Sequence, residues 1–192
     1  MVQQDGRAVQ RVLINYRRND SRAYANRLYS ELCDRFGAEG IFMDVEIESG
    51  ADFVEVIERT VRSADLMLVV IGPHWLGDLD GRHRLDDPHD YVRLELETAL
   101  RSNIRIVPIL VGNAEMPNSE DLPASLAKLN RRQLFMLSDA HWQRDVVELS
   151  RRLSVVLGRP PDGPEAPPRP ALDSTSSWLR MVAKKLRVAR RN

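Results

Sequence analysis

The sequence predicts an α/β domain in which a five-stranded parallel sheet is covered by helices on both faces. Three observations predict it. Residues 66–72 (LMLVVIG) and 104–111 (IRIVPILV) are largely apolar runs of strand length, and the first has no polar alternation, as in a strand buried on both faces. Segments with apolar residues at helical spacing alternate with such runs, which implies crossover connections and parallel pairing. The 192 residues, 43% of them hydrophobic, suffice for one packed domain and a tail.

The elements follow in order. Val12–Tyr16 reads as the first strand. Residues 21–36 read as a helix with Ala25, Leu28, Tyr29, Leu32, Cys33 and Phe36 on one face. Residues 41–44 are a short second strand, and 53–64 a helix with Phe53, Ile57, Thr60, Val61 and Ala64 inward. Residues 66–72 form the third strand. A long connection, 73–86, holds His74, Trp75, Gly77, Gly81 and His83; loops of this length are usually functional or disordered. The helix over 88–102 is predicted to start with Asp87 as its N-cap and Pro88 at its first position. Residues 104–111 are the fourth strand, 133–137 a weaker fifth, and Trp142–Leu157 the last helix. Five strands in this alternation suit the flavodoxin-like order 2-1-3-4-5, whose ligand crevice lies beyond the carboxyl ends of strands 1 and 3.

Composition narrows the function. Residues 159–192 carry eight basic and three acidic residues, leaving 20 basic and 25 acidic in the body. An acidic body argues against nucleic-acid binding. One cysteine, Cys33, forms no internal disulfide and is expected to be a buried small hydrophobe. The N-terminus lacks the apolar run of a signal peptide and no segment has the length of a membrane span, so the expected compartment is the cytoplasm. After an N-terminal extension (1–10) and the domain (11–157), a proline-rich linker covers 158–175 and a basic amphipathic tail 176–192. The tail either makes weak contact with an acidic membrane surface or is a disordered end; its few large apolar residues favour the second.

Three segments carry the candidate chemistry. In VLINYRRNDS (Val12 to Ser21), Arg17 and Arg18 follow the first strand at a helix N-terminus, where they either build a phosphate site or pair with nearby carboxylates. The same loop excludes a response-regulator receiver, which needs acidic residues where Tyr16 and Arg17 stand. FMDVEIESGADF (Phe42 to Phe53) brings Asp44 and Glu46 into the loop after the second strand. In DYVRLELETAL (Asp90 to Leu100), Val92, Leu96 and Ala99 define the buried stripe. At 100° per residue Glu95 lies about 40–60° from Ala99 and Val92. Tyr91 is one turn earlier on that flank, while Glu97 lies opposite and reads as a surface pair with Arg101. Leu94, on the polar side, hints at a contact surface. Trp75 either stacks on a base or packs as a lid. No histidine has a partner at metal-ligand spacing, so no metal is assigned.

Together these segments resemble a bacterial Toll/interleukin-1 receptor (TIR) domain over residues 10–157. VLINYRRNDS is similar to the family's first-strand box, usually ending in Ser-Tyr-Arg-Arg, with Asn15 in place of that serine. FMDVEIESGADF is similar to the second-strand and BB-loop box. DYVRLELETAL is similar to the helix that bears the catalytic glutamate of NAD-cleaving members. The resemblance assigns Glu95 the catalytic position. It puts Tyr16, Arg17, Arg18, Asp44, Glu46, Phe53 and Tyr91 at the nucleotide site. Trp75 joins that set from its loop position.

The implied activity is cleavage of the nicotinamide–ribose bond of NAD⁺, a substrate and not a cofactor, to nicotinamide and ADP-ribose or a cyclic isomer. Most glycosidases need a second carboxyl group to protonate the leaving oxygen. Nicotinamide leaves NAD⁺ as a neutral molecule, so one carboxylate near the ribose suffices to stabilise an oxocarbenium-like transition state. The resemblance also implies self-association or pairing with other TIR domains, and a role in signalling or defence. The alternative is a TIR–TIR interaction module without catalysis.

Overall fold

The computed structural model describes residues 11–43, 52–79 and 82–158. The expected extension, most of the linker, the tail, and Asp44 and Glu46 lie outside the described residues. The order is β1 (Val12–Tyr16), α1 (Arg18–Phe36), β2 (Ile41–Phe42), α2 (Phe53–Arg62), β3 (Leu66–Ile71), β4 (Asp78–Leu79), β5 (Arg82–His83), α3 (Tyr91–Arg101), β6 (Arg105–Leu110), β7 (Phe135–Met136) and α4 (Trp142–Leu157). Among the described residues five strands form one sheet in the order β2-β1-β3-β6-β7, with β4 and β5 a separate hairpin. Every pairing in the larger sheet is parallel. With the hairpin set aside, this is the expected 2-1-3-4-5.

The two-residue period of a strand divides the core into two layers. In β3, Met67, Val69 and Ile71 pack with Ile57, Val61, Leu96 and Ala99 of α2 and α3. Leu66, Leu68 and Val70 pack with Leu28 and Leu32 of α1 and Val146, Leu149 and Leu153 of α4. Each fully buried aliphatic side chain contributes about 1.5–3 kcal/mol of transfer free energy. That both faces of β3 are covered explains why its sequence shows no polar alternation.

Several boundaries differ from expectation. α1 starts three residues early, at Arg18, with a kink at Ser21 (φ −123°, ψ 15°). The Ser21 hydroxyl donates to the Val70 carbonyl at 3.2 Å, a bond across 49 residues that ties the kinked turn to β3. α3 starts at Tyr91, not Pro88. Its N-cap is Asp90, which accepts the Arg93 N–H at 3.1 Å. Asp87 instead accepts the His89 N–H at 2.8 Å, and its carbonyl accepts the Asp90 N–H at 3.1 Å. Pro88 therefore occupies the second position of a turn, a place its fixed φ suits equally well. Val56 is buried where Thr60 was expected to be, and Cys33 is half-buried. Among the described residues no helix is long and apolar enough to cross a membrane.

Candidate functional site

α3 follows β3, so its first turn stands at the carboxyl edge of the sheet, and this places Glu95 beside the end of β1. Asn15, the penultimate residue of β1, donates from Nδ2 to Glu95 Oε2 at 2.6 Å. Glu95 is half-buried, as its place at the flank of the stripe requires. One turn before it Tyr91 is 53% exposed. The Tyr91 ring meets the ring of Phe53 edge-on, with centroids 5.5 Å apart and planes at 65°. Asp52 fixes Phe53 at the start of α2 by capping the Val54 N–H at 2.9 Å. Three elements thus converge: β1 supplies an amide, α2 a phenyl ring, and α3 a phenol and a carboxylate.

The first loop is built differently from a simple anion site. Arg17 is 4% exposed. Its Nε donates to the Trp75 carbonyl at 2.6 Å, and its terminal nitrogens donate to both Asp90 oxygens at 2.9 and 3.2 Å. The phosphate-site expectation for Arg17 is therefore corrected: its guanidinium ties β1 to the N-terminus of α3. Arg18 is exposed at the start of α1. Asp20, in the first turn of α1, accepts the Gly72 and His74 N–H groups at 2.9 and 2.8 Å. Tyr16 is half-buried against the layer formed with α1 and α4.

Trp75, set with the nucleotide-site residues from its loop position, takes the second of its two readings and packs. Its ring is 1% exposed and belongs to the α2–α3 side of the core. It backs a cleft of about 190 Å³ beside the end of β3, whose other walls include Pro73, Leu76, Met116 and Asp121 but not Glu95. Leu94 packs against the core, which removes the hint of a contact surface there. Glu97 takes its hydrogen bonds from residues other than Arg101. It accepts from Arg93 Nε at 2.7 Å and from the Ser125 hydroxyl at 2.7 Å, whereas Arg101 reaches Glu58 at 2.7 Å. Burial works against its charge, but those bonds outweigh burial and hold its carboxyl below the ordinary range.

Sequence reasoning missed the roles of Asn15 and Asp90. Asn15 registered as a departure from the family box, although an amide ending an apolar buried run was a signal in itself. Asp90 directly precedes Tyr91 and the periodic stripe, the position of an N-cap.

The class is clear at this point: a doubly covered parallel α/β domain with a helix-borne carboxylate at the carboxyl end of its first strand. The TIR domain family model matches residues 12–150, and the chain belongs to that family. Over 118 residues it is 29% identical to the NAD(+) hydrolase sarm1 of Drosophila melanogaster. That match takes in 60% of this chain and 8% of the relative, so the chain spans a small part of that protein's length. The TIR domains of the activated Roq1 resistosome, which directly recognises the pathogen effector XopQ, superpose with a TM-score of 0.53 at 11% identity. The superposition covers 75% of this chain and 99% of that one, a likeness of fold.

Proposed function

We propose that this TIR domain cleaves NAD⁺ between nicotinamide and ribose, with Glu95 as its catalytic carboxylate and assembly with other TIR domains as its means of activation. The observation that carries the reading is the convergence of Glu95, Asn15, Tyr91 and Phe53 at the sheet's carboxyl edge. An open parallel sheet binds its ligands at that edge. An anionic side chain there offsets positive charge developing on the ribose, and the departing pyridine needs no proton. The exposed Tyr91 ring gives a flat aromatic surface one turn from the carboxylate, suited to a cationic ring. Similarity to an NAD(+) hydrolase supports the same chemistry. Arg18, exposed at the start of α1, is assigned to the phosphates. Arg17 and Trp75 support the site from within the fold.

The test is nicotinamide release from NAD⁺ by the full chain across a concentration series, wild type beside Glu95→Gln. Glu95→Gln is expected to lower turnover by on the order of 10²-fold or more with the fold intact. Activity rising faster than concentration supports activation by assembly. Turnover unchanged in Glu95→Gln removes Glu95 from the mechanism. No turnover by folded wild type at any concentration favours the interaction module.

A further inference from the structure

β1 sends alternate side chains to opposite layers. Leu13 packs with α2 and α3 and Ile14 with α1 and α4, so Asn15 shares the face of Leu13. Asn15 is 1% exposed and pairs in register with Val69 of β3, in the interior of the sheet. An amide at such depth is stable where its hydrogen bonds are met. Here only one side of it is met among the described residues. Nδ2 donates to Glu95, while Oδ1 is buried without a hydrogen-bond partner. Turning the amide over would set Oδ1 against a carboxylate oxygen, so the orientation follows from charge. A leucine, branched at the same atom, would carry no acceptor to leave unmet, but it would take the donor from Glu95. The interior thus tolerates an unmet acceptor for the sake of one bond, and that bond goes to Glu95.

We infer that Asn15 is a positioning residue for Glu95, holding its carboxylate in one orientation and pinning the first turns of α3 to the end of β1. The inference rests on the proposed catalytic role of Glu95. A glutamate side chain has three rotatable bonds, and an exposed one would sample many orientations. A short bond from a neutral donor to an anionic acceptor is among the stronger hydrogen bonds. Its donor sits on β1, a strand paired on both sides, and not on a loop, which positions it more precisely. Because Asn15 is buried behind the carboxylate, its loss acts on the chemical step more than on substrate affinity.

The decisive comparison uses Asn15→Ala and Asn15→Ser in the full chain, two variants of nearly equal size that differ by one hydroxyl donor. The readouts are kcat and KM for NAD⁺ and the pH midpoint of the Glu95 side-chain carboxyl, followed by ¹³C NMR. Asn15→Ala is expected to lower kcat about ten- to a hundredfold with KM within about twofold. It is also expected to move the Glu95 midpoint upward by about one pH unit, since the charged form loses its donor. Asn15→Ser recovers part of both. Asn15→Leu controls for folding: thermal stability equal to or above wild type, together with lowered kcat, separates positioning from structural support. Equal behaviour of the alanine and serine variants overturns the inference, as does a Glu95 midpoint indifferent to Asn15→Ala. The titration needs no turnover, so the inference can fail even where Glu95→Gln abolishes cleavage. Conversely, full turnover in Glu95→Gln defeats the catalytic reading while the titration still reports on the contact.

Discussion

Arg17 and Asp90, 73 residues apart in the chain, form a two-pronged ion pair at 2.9 and 3.2 Å with side chains only 5% and 4% exposed. The same Asp90 caps α3 by accepting the Arg93 N–H. One carboxylate therefore both starts the helix that carries Glu95 and ties it to the end of β1. Arg84 Nε approaches Asp90 to 3.6 Å and adds positive charge on the same side.

Breaking this pair from one side leaves a buried charge without its hydrogen-bonded ionic partner. Arg17→Ala or Asp90→Ala is expected to cost about 3–5 kcal/mol in urea unfolding. Arg17→Lys should not restore it, because an ammonium cannot meet both Asp90 oxygens and the Trp75 carbonyl from a planar fork. A loss under about 1 kcal/mol for Arg17→Ala would mean that α3 is held by packing alone.

Tyr91 tests the aromatic side of the site. Tyr91→Ala removes an edge-on ring contact with Phe53, and should cost about 0.5–1.5 kcal/mol of stability. Under the proposed function it should also raise KM for NAD⁺ about tenfold without lowering kcat comparably, because a ring that favours the cationic nicotinamide holds the ground state at least as well as the transition state, in which that charge is leaving the pyridine. Steady-state kinetics check it; an unchanged KM takes Tyr91 out of the substrate site.

Glu97 supplies a pH dependence with a definite sign. Its folded-state carboxyl lies below the ordinary value of 4.5, because bonds from Ser125 and Arg93 outweigh the burial that opposes charge. A depressed carboxyl stabilises the fold above its unfolded midpoint and loses that contribution as pH falls through the lowered one. Glu97→Gln is therefore expected to be less stable than wild type at pH 7, by about 1 kcal/mol. The two should converge on acidification. Parallel curves through the acid range would contradict the assignment.

Gly72 tests the close approach of α1 to the end of β3. A Cβ there would overlap the Asp20 carboxylate, the same group that accepts the Gly72 and His74 N–H groups. Gly72→Ala should therefore lower stability by about 1–3 kcal/mol in thermal or urea unfolding. Asp20→Ala, which leaves two backbone donors without their acceptor, should lower it by a similar amount. A neutral Gly72→Ala would show that Asp20 moves aside freely.

The fold was legible because periodicity is a local property. The unalternating apolar run ending at Ile71, the stripe Val92–Leu96–Ala99 and the face of Trp142, Val146, Leu149 and Leu153 each announced how many sides of an element are covered. Glu95 was legible for the same reason, since an angle on a helical wheel places it beside the stripe. The start of α3 was not. Asp87-Pro88 and Asp90-Tyr91 both carry a cap signal, and the choice between them is made by Arg17, 73 residues from Asp90. The fates of Arg17 and Trp75 were hidden likewise. A loop sequence shows a cation and an aromatic ring, but not the carboxylate and carbonyl that meet the first or the core that closes over the second.

By itself, then, the order of residues determined the strand–helix alternation that builds a parallel sheet and the side of α3 on which Glu95 lies, both consequences of side-chain spacing along single elements; the 2-1-3-4-5 order was expected only because such an alternation suits the flavodoxin-like arrangement. Only the tertiary structure decided which polar groups meet: Asn15 with Glu95, Arg17 with Asp90, Glu97 with Ser125. Hydrogen bonds and ion pairs act over a few ångströms of space, and the chain separations they span here, from 28 to 80 residues, carry no periodic signal.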